Sequence, residues 1–164
     1  MRKQGYIQKG LLIALVLCAT TALAEPDTFG LGTGRDGGLT VRELRTVINR
    51  YAQVTEPLAP GSSVLTVSST EGFSAGDLVM VLQTVGSLPE PQVGIPIALS
   101  DGAVGQWELA RLGDVGERQL KLSQPILHSY AASLTQVIRV PEYMDVAVRP
   151  GASLVAAPWD GRIG

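Results

Sequence analysis

Cysteine is nearly absent from this chain. The single Cys18 lies in an apolar stretch near the N-terminus. If that stretch is removed, no disulfide, thiolate metal site or cysteine nucleophile remains. Histidine is equally scarce, with His128 alone. Any Ser–His chemistry must use it, and its neighbour Ser129 would point to the opposite face of a strand, so the two form no dyad by themselves. No G-x-S-x-G occurs. Aromatic residues make up only 5% of the chain, with two tryptophans, Trp107 and Trp159. Beyond residue 19 no apolar run approaches the ~20 residues that cross a bilayer as a helix.

The opening is a different kind of sequence. Arg2, Lys3 and Lys9 form a basic start, Leu11 to Ala19 is continuously apolar, and Ala22-Leu23-Ala24 places small residues where a signal peptidase reads. This pattern predicts a secretory signal peptide over residues 1–24, cleaved after Ala24. The apolar run is too short for a comfortable membrane anchor. A lipoprotein reading of Cys18 meets Leu17, which is not the small residue that lipid attachment wants. The predicted location is therefore outside the cytoplasm, secreted or on a bacterial outer surface, with no transmembrane span after cleavage.

Cleavage would leave 140 of the 164 residues, enough for one domain or two small ones. The leader takes three of the thirteen basic residues and none of the fifteen acids, so the remainder carries about −5. An acidic chain without a basic patch is a poor match for nucleic acid or anionic lipid. Nineteen glycines and ten prolines imply many turns.

Five glycines fall within FGLGTGRDGG, Phe29 to Gly38. A phosphate loop needs a strand before the glycines and a helix N-terminus after them. Here only Glu25-Pro26-Asp27-Thr28 would precede it. There is no Gly-Lys-Ser/Thr, the G-x-G-x-G spacing lacks the last step of a dinucleotide fingerprint, and Asp36 is the only acid for a calcium loop. The residues read as a flexible lead-in and turn, with no cofactor site. The stretch that follows, LTVRELRTVINRYAQV, is ambiguous. Thr40 and Glu43 have capping-box spacing, while Val41, Thr46, Val47 and Ile48 favour strands.

From Glu56 onward the pattern is β. SVLTVS alternates, and TEGFSAGD is a turn with Phe73 as a buried plug. DLVMVLQ is apolar on both faces, as a central strand would be. Residues 84–105 form a long loop that could include the short strand IAL. QWELARL places Trp107, Leu109 and Arg111 on one side; GDVGE reads as a turn. RQLKLS alternates, and LTQVIRV sets Ile138 and Val140 on one face before Pro141 ends it. YMDVAV and SLVAA are very short strands joined by RPGA, as at the start of a stacked β-coil. The predicted fold is all-β: a small twisted sheet or barrel-like module followed by the start of a β-helix-like coil. The divisions are a signal peptide over 1–24, an N-terminal segment with the first strands over 25–63, the β module over 64–140 and a truncated coil over 141–164.

No catalytic constellation emerges. Asp101, Glu108, Asp114, Glu117 and Asp145 are the acids available for paired-carboxylate chemistry, but several sit in turn sequences. Calcium at Asp145 or Asp160 lacks a loop dense in acids. We assign no catalytic, cofactor or metal residues. Trp159 and Trp107 remain as residues that could contact a ligand or partner. Trp159 follows a proline in a loop and reads as surface; Trp107, in an alternating strand, reads as core.

Several blocks together carry a resemblance: FGLGTGRDGGLTV, INRYAQVTEPLAPGSSVLTVSSTEGFSAGDLVMVLQT, GQWELARLGDV and LKLSQPILHSYAASLTQVIRVPEYMDVAVRPGASLVAAPWDG. The chain resembles the N-terminal region of large exported myxobacterial surface proteins of the adventurous gliding motility type. The resemblance implies an all-β module in front of a long extracellular protein, with VAVRPGASLVAAPWDG leading into glycine-rich β-helical repeats. It also tips LTVRELRTVINRYAQV towards strands, although RELRT is more charged than that implies. The expected role is non-enzymatic, structural or adhesive, with the missing C-terminal repeats or another surface protein as partner. The alternatives are a carbohydrate-binding module that meets polysaccharide through its tryptophans, and the front of a β-helical polysaccharide-active enzyme.

Overall fold

Alternation of period two in SVLTVS, DLVMVLQ and RQLKLS is realised as antiparallel sheet. A computed structural model describes residues 32–85, 93–96 and 103–164. The leader, the first residues of the glycine loop and the IAL piece lie outside these. Eight strands and no helix occur among the described residues: β1 (Gly38–Val41), β2 (Tyr51–Gln53), β3 (Val64–Thr66), β4 (Leu78–Gln83), β5 (Trp107–Val115), β6 (Gln119–Leu122), β7 (Thr135–Val140) and β8 (Asp145–Val148).

Six of them form one sheet in the order β2-β7-β4-β5-β6-β3. The sheet curls until its edges meet. Val54 bridges Val67, the Thr55 N–H donates to the Thr66 carbonyl at 2.9 Å, and the Ser68 N–H donates to the Gln53 carbonyl at 2.9 Å. Both edge strands are thereby covered, which removes the unpaired backbone that invites aggregation. β4 lies between β5 and β7, the central place that its two apolar faces imply.

The enclosed face holds the core. Ala52, Val54, Leu65, Val67, Val79, Val81, Ala110, Leu112, Leu120, Leu122 and Val137 alternate inward, with Leu58, Ile126 and Tyr130 from the connections. Phe73 is buried among them as a plug. Asp77 sets its turn by accepting the Ser74 N–H at 2.8 Å. GDV, expected as a turn, instead prolongs β5 to Val115. A register shift between Leu112 and Asp114 lets the strand bend around Gly113 and keep pairing with β6.

The remaining two strands make a separate parallel pair, β1 with β8, in the register Gly38↔Asp145 to Val41↔Val148. The pairing extends beyond them. The Asp36 N–H donates to the Glu142 carbonyl, Thr46 bridges Leu154 in parallel, and the Val155 N–H donates to the Thr46 carbonyl. Residues 36–46 and 142–155 are therefore two stacked rungs of a β-coil, and the barrel-like sheet is inserted between them. The N-terminal segment thus divides: its first part is a rung, while β2 belongs to the curled sheet. The helical spacing around Thr40 and Glu43 loses because rung residues find backbone partners. Ser153 donates its N–H to the Glu43 carbonyl, and Arg45 takes a positive φ of 59° that no helix allows.

Candidate functional site

The glycine loop is a docking strap. Close approach explains its composition: a Cβ on Gly32 would meet Glu142 at 3.2 Å, one on Gly34 would meet Met144 Cγ at 2.8 Å, and one on Gly38 would meet Asp145 Oδ1 at 2.8 Å. Gly34 and Gly37 also have positive φ, 69° and 68°. Only residues without a side chain let this strand lie so near the second rung.

The two charges inside the loop lock it to the barrel. Asp36 pairs with Arg139 and accepts the Glu142 N–H at 2.7 Å. Arg139 Nε donates to Asp77 Oδ2 at 2.9 Å, and Arg35 approaches Asp77 at 3.8 Å. Beside them Arg111 Nη1 donates to Glu142 Oε2 at 2.8 Å, and the Thr33 N–H donates to Glu142 Oε1 at 2.9 Å. Hydrogen bonding from Arg111 foremost, with the Thr33 N–H adding to it, lowers the Glu142 carboxyl to about 2 despite its burial. Every charge in this junction has an opposite partner, so it presents no vacant anion or cation site.

The second rung is open. Leu39 and Val41 of β1 lie directly beneath Val146 and Val148 of β8. Val41 is 2% exposed, whereas Val146 and Val148 are 45% and 49% exposed. In this aliphatic column Val41 is covered and Leu39 partly so, while the two valines above them are exposed. Among the described residues, β1 is the one strand that pairs with β8, so the other edge of β8 has no strand on it there.

Both tryptophans are at the surface. Trp159 is 46% exposed, as its sequence suggests. Trp107, expected in the core, is 52% exposed. It does share a face with Leu109 and Arg111, but that face is the outer one, because Ala110 and Leu112 point into the curl. Directly opposed residues set a row across the outer face: Gln53, Gln136, Leu82 and Trp107. Residues 157–164 lie over the Gln136 end of this row, where the Gly164 N–H donates to Gln136 Oε1 at 3.1 Å. A Cβ on Gly164 would sit 2.8 Å from Trp159 Cα. Asp160 fixes the turn by accepting the N–H groups of Arg162 and Ile163, both at 2.8 Å, which also lowers its own carboxyl pKa. Between this segment and the sheet runs a cleft of about 380 Å³, lined among others by Asn49, Arg50, Tyr51, Glu71, Ala157 and Ile163.

The other candidates do not assemble. His128 is half exposed and lies 3.5 Å from Glu108, whose oxygens accept the N–H groups of Leu127 (2.9 Å) and His128 (3.3 Å). That carboxylate anchors a loop. Behind it the Tyr130 phenol is buried beside Glu108 and Gln106 without a well-formed hydrogen bond; burial above all pushes its pKa far up. Asp114 is an exposed residue of β5, Glu117 lies on the exposed bend before β6, Asp145 abuts Gly38, and Asp101 lies outside the described residues. No group of three or more metal-ligating side chains occurs among the described residues. No described helix is long and apolar enough to cross a membrane. The sequence signal that was missed is the cross-strand row, since Gln136 and Trp107 are neighbours only through β4.

No protein-family model matches the chain, and comparison with curated proteins gives no match. Among solved structures, the chain is similar in part to the Gp54 tailspike of Acinetobacter baumannii bacteriophage AP22, solved in complex with A. baumannii capsular saccharide. That overlap has 10% identity and a TM-score of 0.43, and covers 74% of this chain and 22% of the tailspike. The Pseudomonas phage phi297 tailspike gp61 gives 13% identity and a TM-score of 0.42, over 71% and 20%. The tailspike gp49 of Pseudomonas phage LKA1 gives 11% and 0.40, over 73% and 22%. The chain spans about a fifth of the length of these proteins, and likeness of this degree establishes neither a shared family nor a shared activity.

Proposed function

We propose that this chain is a non-enzymatic, exported base module that starts a β-coil at a bacterial cell surface. Its role is structural or adhesive; the resemblance read from its sequence blocks suggests gliding motility or surface attachment. One observation carries the reading. In the aliphatic column Leu39–Val146 and Val41–Val148, Val41 is buried and Leu39 half-buried on the lower rung, while both valines of the upper rung are exposed. Two-stranded parallel pairs are poor stopping points, because parallel sheet is normally buried on both faces. The curled sheet braces the first rungs through the Asp36–Arg139–Asp77 and Arg111–Glu142 pairs. What stacks on β8 is then a further β rung, from continuing repeats or from another surface protein.

The test is fractionation of the native cells together with a rung-breaking variant. The protein is expected in the envelope or the medium, in particles larger than the single chain. Val146→Lys with Val148→Lys should leave the unfolding midpoint nearly unchanged, since both side chains are already half exposed, while releasing the protein from those particles. Retention of the parent protein in the cytoplasm, or unchanged particle size in the variant, would overturn the proposal.

A further inference from the structure

We infer that β8 is a dimer edge, which pairs antiparallel with β8 of a second copy of this chain. The inference rests on the reading of β8 as an open edge and names the partner of that edge. All four residues of β8 are exposed, and β1 is the one strand that pairs with it among the described residues. Its middle, Val146-Ala147-Val148, has no proline, lysine or bulge to guard the other edge. The Arg149 N–H donates to the Val41 carbonyl at 3.0 Å. Backbone groups alternate sides along a strand, so those of Val148 and Val146 face the edge without a strand.

The segment Asp145-Val146-Ala147-Val148-Arg149 is complementary to itself when reversed. Pairing it with a second copy about Ala147 sets Val146 opposite Val148 twice, and Asp145 opposite Arg149 twice. Directly opposed residues share a face. One face of the joined sheet is then lined by the valines of both copies, continuous with Leu39 and Val41 beneath each β8. The other face carries two Asp–Arg pairs on either side of Ala147. Within the chain neither Asp145 nor Arg149 makes an ion pair among the described residues. Arg149 follows Val148 as Arg42 follows Val41 in the parallel register, so two cations succeed each other up this corner. A carboxylate from a second copy offsets their repulsion. Registers one step to either side set Asp145 or Arg149 opposite Ala147 and leave the charges unmatched. Pairing about a two-fold axis uses the same edge on both chains and closes on itself, so it ends at two copies.

Strand segments this short bury less than the ~1,200 Å² of a standard interface, so the dimer is weak, with a Kd on the order of 10–100 μM. Sedimentation equilibrium of the full chain from about 1 μM to about 1 mM covers that range. The mass should rise towards two chains and no further. Asp145→Arg and Arg149→Asp each set like charges opposite one another twice, and each should weaken self-association about tenfold or more. Circular dichroism verifies that both variants fold. Mixing the two variants in equal amounts sets arginine opposite aspartate at both positions again, and the dimer should return. A chain that stays single throughout, growth beyond two chains, or a mixture that associates no better than either variant alone would each overturn the inference. Those failures leave the coil reading standing, because it is tested by the location of the native protein and by Val146→Lys with Val148→Lys. A protein that dimerises with rescue by the mixture, yet is kept in the cytoplasm of its own cells, would support the pairing and overturn the coil reading.

Discussion

Replacing Glu142 by glutamine isolates the charge junction. The change keeps the shape of the side chain and removes its charge. In the folded chain the carboxyl sits at about 2 against an ordinary 4.5, chiefly because Arg111 hydrogen-bonds to it. A displacement of that size corresponds to about 3 kcal/mol at most, since one pKa unit is worth ~1.4 kcal/mol. The folded value is the depressed one, so this stability is fully present above the unfolded value near 4.5. It is lost progressively as pH falls from there towards 2. Arg111 keeps a second acceptor, the Gly76 carbonyl at 2.9 Å, so the guanidinium is not stranded and the loss at neutral pH should lie near 2–3 kcal/mol. Urea unfolding followed by far-UV circular dichroism reads the difference at a series of pH values. The parent should exceed Glu142→Gln at pH 7, and the gap should close as pH approaches 2. A gap independent of pH would refute the ion-pair argument, and no gap at pH 7 would refute the junction as a source of stability.

Two further substitutions probe neighbouring claims. Gly34→Ala must hold a positive φ of 69° and meet Met144 Cγ; a loss of about 1–2 kcal/mol is expected in the same urea assay, and a neutral result would mean the strap does not seat closely. Tyr130→Phe removes a buried hydroxyl that lacks a well-formed hydrogen bond. Stability should be unchanged or rise by up to about 1 kcal/mol, and a loss above that would mean the phenol hydrogen-bonds to Glu108 in solution.

The curled sheet was legible because each strand carries its own pattern. Leu65 and Val67, Leu120 and Leu122, and the doubly apolar β4 all announce their faces through alternation. Phe73 was legible as a plug because a lone aromatic in a glycine-rich turn has few other uses. Trp107 was misplaced for a reason internal to the same rule. Alternation groups Trp107 with Leu109 and Arg111, but it does not say which face turns inward. The structure settles it: Ala110 and Leu112 are the buried pair, enclosed by the curl of the six-stranded sheet. Likewise the helical spacing of Thr40 and Glu43 is local, and the strands that override it lie about a hundred residues away.

That distance also explains why the sequence pointed to the coil start and to Trp107 without the residues that neighbour them. The coil rungs join residues 36–46 to 142–155 across the whole curled sheet, and the aromatic face joins Gln53, Gln136, Leu82 and Trp107 through strands from four parts of the chain. The glycine loop illustrates the cost of reading such a segment alone. Its composition reads as a flexible lead-in and turn, whereas residues 32–38 are held against residues 142–145. Glycine at 32, 34 and 38 clears room for Glu142, Met144 and Asp145, while Arg35 and Asp36 carry the opposite charges that Asp77 and Arg139 need. A loop with glycines and no charges would lie close without being held, and one with charges and no glycines could not approach. The two together make the first rung a fixed platform, and a fixed first rung is what a growing parallel coil requires, because each later rung takes its register from the one beneath it.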